Sequence, residues 1–321
     1  MAYRKVLSLM AVLGVVVSAM VVSTAQGAAA ASLRLHGRSF PIPSPNAQPI
    51  EIALGPDGNL WFTEQNTSAV ARVTPDGVIT EYPTPTPGFP YDITAGPDGN
   101  VWFTEGSNGR IARITPDGTI REVVFSDFDA AGGITTRPDG NIWFTDATGD
   151  KVWRLELATR TLTDFAVPTA NSFPGHITTG TDGNLWFVEG AAGKIGRVTP
   201  DGEVTEPVTG LSNPFEITTG ADGNVWFTEP FIQRFGKVTP AGDVTFYSNG
   251  HQIASIAPGP TGRLVFSSFS ESRIGTISFD GVARAGPKVD ESAPTGIAMG
   301  PNGSVWFLGS GSNRVYRAVA R

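Results

Sequence analysis

Apolar and polar positions alternate along this chain in short runs of four to six residues, separated by turn-forming residues, and the pattern returns at a long period. The clearest copy is Gly55-Pro-Asp-Gly-Asn-Leu-Trp-Phe-Thr-Glu64, repeated nearly letter for letter from Gly96 to Glu105. Weaker copies run from Arg137 to Asp146, Gly180 to Glu189, Gly220 to Glu229, Gly259 to Ser268 and Gly300 to Gly309. The marker tryptophans are Trp61, Trp102, Trp143, Trp186, Trp226 and Trp306, with Val265 in the sixth copy, at spacings of 41, 41, 43, 40, 39 and 41 residues. A period of about 40–45 built only of short strands is the size of one four-stranded propeller blade.

Each unit divides in the same way. A short first strand leads into a Pro-Asp-Gly or related turn, where glycine takes positive φ without a Cβ clash. The second strand, Asn-Leu-Trp-Phe-Thr, is almost wholly apolar, as a strand covered on both faces must be. A third strand such as Arg110-Ile-Ala-Arg-Ile-Thr115 follows, and a second Pro-Asp-Gly turn leads into a fourth, Val78-Ile-Thr-Glu-Tyr82 in the first unit. Its period-two alternation suits a half-exposed edge. The seventh unit stops after its third strand, Arg314-Val-Tyr-Arg-Ala-Val319, and Leu33 to Ile42 is available to complete it. The reading is an all-β, seven-bladed propeller over residues 32–321, its last blade closed by the N-terminal strand so that no edge is left naked. An open β-solenoid is the rival; its units are usually shorter, and no polar capping repeat is present.

The first 31 residues read differently. Arg4 and Lys5 precede an apolar run from about Val6 to Val22, then Ala25-Gln-Gly-Ala-Ala-Ala-Ala31. That order is a secretory signal peptide with an Ala-rich cleavage zone. An uncleaved anchor is the alternative, because the run nears spanning length. The expectation is a secreted, extracellular, monomeric protein whose mature part does not span a membrane.

Composition narrows the chemistry. The chain has 39 Gly, 25 Pro and no Cys, which excludes disulfides, thiolate metal sites and a cysteine nucleophile. The formal net charge of −7 argues against a nucleic-acid partner. Glu64, Glu105, Asp146, Glu189 and Glu229 end second strands, and Arg72, Arg113, Arg154, Arg197 and Lys237 recur on third strands. Groups repeated in most blades serve the blade, so these acids are expected to cap loops or pair with nearby bases. Trp153 is a lone aromatic on a third strand and reads as packing.

Residues that differ between blades are the informative ones. Immediately before the first-strand Ile, the copies carry Glu51, Asp92, Gly133, His176, Glu216, Ser255 and Gly296. Ring closure would bring Glu51, Asp92, His176 and Glu216 to one level of the central channel. Glu51, Asp92 and Glu216 are candidate ligands for Mg²⁺ or Ca²⁺, and His176 with Glu216 a candidate acid–base pair. One residue upstream, Tyr91 and Phe215 would wall a ligand, with His251 as a further binding candidate and His36, on the closing strand, a weaker one. The rival reading is a solvated channel mouth. Ser-His-Asp order, phosphate loops and His-x-x-x-His pairs are all absent from the sequence.

The tandem Gly-Pro-Asp-Gly-Asn-Leu-Trp-Phe-Thr-Glu, with Ile-Gly-Arg-Val-Thr-Pro-Asp-Gly (195–202) and the Ile-Thr-Glu-Tyr strand, resembles the streptogramin B (virginiamycin B) lyase family across essentially the whole mature chain. The resemblance implies a seven-bladed propeller that opens a cyclic depsipeptide at its ester by Mg²⁺-dependent elimination. The metal would polarise the ester carbonyl and a histidine would move the proton. It also implies functional His and Glu residues in the last two blades; their positions fall here on Ala254, Thr295, Ala293 and near Ser310. Three functions stand: a metal-assisted lyase acting on a small cyclic ester, a non-catalytic propeller binding a protein, peptide or glycan at the central channel, and a metal-dependent lactonase-like hydrolase.

Overall fold

The computed structural model describes residues 33–107, 109–124, 130–248, 250–289 and 293–320; the N-terminal segment read as a signal peptide lies outside them. Among the described residues, all longer elements are strands, and these form seven four-stranded antiparallel sheets. In blade 1 the order from the inside outwards is Pro49–Leu54, Leu60–Glu64, Ala69–Val73 and Ile79–Pro83. Inner strands of successive blades lie side by side, and that of blade 7 (Pro294–Met299) lies against that of blade 1, which closes the ring. Blade 7 takes its outer strand from Leu33–Pro41, antiparallel to Arg314–Ala320. The expected seven-bladed propeller, with its N-terminal closure, is the fold.

The core lies between blades. Trp61 packs with Ile93 and Phe103 of blade 2, Trp102 with Ile134 and Phe144 of blade 3, and Trp306 with Ile52 and Phe62 of blade 1. In the layer between blades 6 and 7 the smaller Val265 meets Ile297 and Phe307. The second strands are therefore buried along their whole length, which explains their lack of alternation.

The Pro-Asp-Gly aspartates orient the tryptophans. Asp57, Asp98, Asp182 and Asp222 each accept the indole N–H of the Trp four residues on, at 3.0–3.4 Å. In blade 3 Arg137 stands where the motif has its first Gly; it engages Asp139, and the Trp143 indole nitrogen has no hydrogen-bond partner. A Cβ on Gly55 would lie 2.5 Å from the Trp61 ring, so that glycine makes room for the indole.

Among the repeated acids Glu229 pairs with a nearby base and Asp146 and Glu64 bond within their loops, as expected, whereas the repeated arginines take a different role. Arg72, Arg113, Arg154 and Arg197 lie 5.6–6.0 Å over the Trp rings of their own blades, a cation–π arrangement. The acids are buried elsewhere. Glu229 binds Arg234, and Asp146 caps its loop through the Gly149 N–H at 2.9 Å. Glu64 accepts from Thr67, whereas Glu105 and Glu189 keep carboxylate oxygens without hydrogen bonds. Trp153 is buried in the blade 3 core, as expected.

Candidate functional site

Glu51, Tyr91, Asp92 and His176 are positioned by bulges in inner strands, whereas Phe215 and Glu216 lie just ahead of the blade 5 inner strand, Ile217–Thr219. Pro49 pairs with Glu64, but the next pair is Ile52 with Phe62, so Ile50 and Glu51 together oppose Thr63. The same slip occurs at 90–93, 131–134, 174–177 and 294–297. A bulge bends the strand and re-aims its side chains.

The repeated threonine holds that bulge. Thr63 Oγ1 accepts the Glu51 N–H at 3.1 Å and donates to the Tyr91 carbonyl of the next blade at 2.9 Å. Thr104, Thr145 and Thr228 make the same two bonds, from Asp92, Gly133 and Glu216 N–H and to the Gly132, Gly175 and Ala254 carbonyls. These latches were not anticipated from sequence. Their signal was one hydroxyl recurring in an otherwise apolar strand. Val188 and Leu308 replace the threonine in blades 4 and 7.

The bulges of blades 2 and 4 and the Thr228 latch of blade 5 bring Tyr91, Asp92, His176 and Glu216 together, with Glu51 beside them. His176 is 4% exposed. Its Nε2 lies 3.0 Å from the Tyr91 hydroxyl, and its Nδ1 lies 3.3 Å from Glu216 Oε1 and 3.8 Å from Asp92 Oδ2. The rings of Tyr91 and Phe215 flank the imidazole at 5.4 and 5.7 Å. Blade 3 contributes space: a Cβ on Gly133 would lie 2.7 Å from His176 Cα, so only glycine lets the two bulges approach. Asp92 is largely consumed by structure, because its oxygens accept the Ile93 and Ile134 N–H groups at 2.7 and 2.8 Å. Glu216 Oε1 accepts the Ile217 N–H at 3.3 Å, while its Oε2 is buried without a partner.

Burial dominates the electrostatics. It raises the pKa of Glu216 well above its ordinary value, helped by the charges of Glu51 and Asp92, and raises Glu51 likewise, helped by Asp92. Asp92 is raised by burial against the opposing pull of His176 and its backbone donors. Burial lowers His176, opposed by Asp92, and raises Tyr91, helped by the carboxylates. Each shift is toward the uncharged form of its group. Among the described residues, no lysine or arginine forms an ion pair with Glu51, Asp92 or Glu216.

Two cavities of about 350 Å³ each open beside the cluster. Tyr91, Phe173 and Gly175 line both; Phe89 and Gly132 line one, and His176, Val188, Phe215 and Phe231 line the other. Val188, the residue without a latch hydroxyl, thus gives the second cavity an apolar wall. The rim is aromatic and exposed: Phe89 is 51%, Phe173 55% and Phe231 68% accessible. Phe89 and Phe173 also hold φ of 50° and 57°, a left-handed conformation costly for a bulky residue.

Six of the seven residues chosen from the sequence, Glu51, Tyr91, Asp92, His176, Phe215 and Glu216, thus gather at one side of the channel. His251 is not among them: its Nδ1 lies 2.9 Å from Glu271 Oε2, its ring stacks on Phe266, and it lines neither cavity. The positions implied by the family resemblance carry backbone roles instead. The Ala254 and Thr295 carbonyls accept latch bonds from Thr228 and Ser267, and Ser310 Oγ donates to the Ala293 carbonyl.

The sequence profile of the Virginiamycin B lyase family matches residues 18–248 and 207–321. The chain belongs to the virginiamycin B lyase family. The solved virginiamycin B lyase of Staphylococcus aureus superposes with a TM-score of 0.83 at 29% identity, covering 89% of this chain and 99% of that one. A streptogramin B lyase structure gives 0.84 at 28% identity, over 90% and 98%. Another structure of the S. aureus enzyme, a catalytically inactive histidine-to-alanine variant with quinupristin, gives 0.82 at 29%, over 89% and 99%. A virginiamycin B lyase of Bordetella parapertussis (strain 12822) is 39% identical over 46 residues, a match spanning 14% of this chain and 15% of that protein. The channel histidine of this chain is His176 of blade 4, and Ala254 and Thr295 stand where the resemblance implies histidines.

Proposed function

We propose that the protein is an exported, lyase-like member of the family, holding a small cyclic ester or depsipeptide against the aromatic rim of blades 2–5 and working on it through the Tyr91–His176–Glu216 line. The observation that carries this reading is Tyr91, which lines both cavities and hydrogen-bonds a buried histidine. Opening an ester by elimination places negative charge on its carbonyl oxygen, and a preorganised donor there lowers the barrier. In the tautomer with His176 Nε2–H directed at the Tyr91 oxygen, the phenolic proton faces the cavity and serves as that donor. Tyr91 keeps its proton: as the ligand's carbon–oxygen bond breaks and its electron pair leaves with the carboxylate, the phenol hydrogen-bonds that oxygen, and the carbon-bound proton passes to water in the open cavity while its electron pair forms the double bond.

The resemblance implies a divalent cation, and the donors fit one. Glu51, His176 and Glu216 place one donor atom each within 4.8 Å of one another, and Glu216 Oε2 is buried and unpartnered. When bound, such an ion would supply positive charge to the acidic side of His176.

The test is turnover of quinupristin and of simple lactones by the full chain, followed by mass spectrometry, with Tyr91→Phe beside it. Ring opening reduced at least 100-fold in Tyr91→Phe, with ligand affinity kept, supports the reading; ring opening unaffected by the variant removes Tyr91 from the chemistry. A binding module is the second reading, favoured by Ala254 and Thr295 at the family's histidine positions. It predicts calorimetric binding to the aromatic rim with no product under any condition.

A further inference from the structure

We infer that the channel cluster is a transition-metal site, with Glu51, Glu216 and His176 Nδ1 as its protein ligands and Mn²⁺ or Zn²⁺ as its ion. The sequence alone points to Glu51, Asp92 and Glu216, an all-oxygen set suited to Mg²⁺ or Ca²⁺. The structure redistributes those roles. Asp92 is occupied by two backbone N–H groups of adjacent blades, so turning it toward an ion would break the junction between blades 2 and 3. His176 takes its place: Nδ1 faces Glu216 at 3.3 Å. Nε2 faces the Tyr91 hydroxyl at 3.0 Å, the outer hydrogen bond that ordinarily fixes a metal-bound imidazole.

Three donors lie within 4.8 Å of one another. Metal–ligand bonds of about 2.1 Å span at most ~4.2 Å across an ion, so small side-chain rotations close the set. Glu216 Oε2 independently points to a missing partner, since the residue is 7% exposed and that oxygen has no hydrogen bond. Two carboxylates with an imidazole suit Mn²⁺ and Zn²⁺ better than the hard ions. The inference uses the same cluster as the proposed ligand chemistry, but ion binding does not depend on that chemistry being right.

The experiment is calorimetric titration of tag-free, chelator-treated full chain with Mn²⁺, Zn²⁺, Mg²⁺ and Ca²⁺ in turn. Parallel titrations use Glu216→Gln, His176→Asn and Tyr91→Phe, and circular dichroism checks that each variant is folded. One Mn²⁺ or Zn²⁺ per chain is expected, bound at least 30-fold more weakly by Glu216→Gln and His176→Asn and about tenfold more weakly by Tyr91→Phe, which loses the outer hydrogen bond to the imidazole. The electron paramagnetic resonance spectrum of bound Mn²⁺ should lose its protein-ligated signature in His176→Asn. Binding of no ion overturns the inference. So does stoichiometric binding indifferent to His176→Asn, or Mg²⁺ and Ca²⁺ binding as tightly as Mn²⁺. Because the titrations contain no ester and read ion binding alone, failure of either proposal is read separately from failure of the other.

Discussion

Replacing Glu64 with glutamine should change how the stability of this protein depends on pH. Glu64 is fully buried at the end of a blade 1 strand. Its cross-strand partner is Ala69, where the equivalent glutamates of blades 2 and 4 face Arg110 and Lys194. Oε2 accepts from Thr67 and Oε1 has no partner. Burial with no basic group opposite raises its pKa from 4.5 to about 8. The folded state thus holds a proton that the unfolded chain has released. The stabilisation is complete below pH ~4.5 and is lost as pH rises through the window from 4.5 to about 8. At about 1.36 kcal/mol per unit, the full window corresponds to roughly 5 kcal/mol, of which about 3 kcal/mol is already gone at pH 7. Glutamine keeps the shape and cannot ionise. Urea denaturation of both proteins between pH 4.5 and 8.5 reads the difference. From about pH 5 to 7.5, wild type should lose roughly 1.4 kcal/mol per pH unit more than Glu64→Gln, the linkage of one proton. Glu105 and Glu189, each raised to about 7, leave the variant a residual slope of its own. Parallel curves for the two proteins would refute the reasoning, since Glu64 would then ionise alike in both states.

Thr104→Val removes both latch bonds, one within blade 2 and one to blade 3, and strands a buried N–H and C=O, so urea titration should show a loss of about 2 kcal/mol; a loss under 0.5 kcal/mol would deny the latch its role. Phe173→Asn places a residue tolerant of positive φ at a strained, exposed position. It should raise stability by about 1 kcal/mol while weakening quinupristin binding at least tenfold, as measured by calorimetry. A variant that gains nothing in stability would show that Phe173 is not strained.

The sequence by itself determined the architecture and most of the site. A repeat spaced near 40 residues, with an apolar strand at its centre, has few ways to bury itself, and a seventh unit lacking its last strand must borrow one. Because all blades share one register, the residue before each first-strand Ile could be assigned to a common level, and Glu51, Asp92, His176 and Glu216 do meet there. Tertiary structure decided what those residues have left to offer. Asp92 reads as a free carboxylate until the neighbouring blade spends it on the Ile134 N–H. His251 reads as a candidate binding residue until the fold pairs it with Glu271. The repeated acids read as loop caps or partners of nearby bases; the fold keeps those roles for Asp146 and Glu229 and lays the repeated arginines over tryptophan rings. In each case the deciding contact comes from a side chain or backbone group far along the chain or across the sheet. Hydrogen bonds and desolvation act over a few ångströms, and sequence spacing carries no information about which distant group arrives within that range.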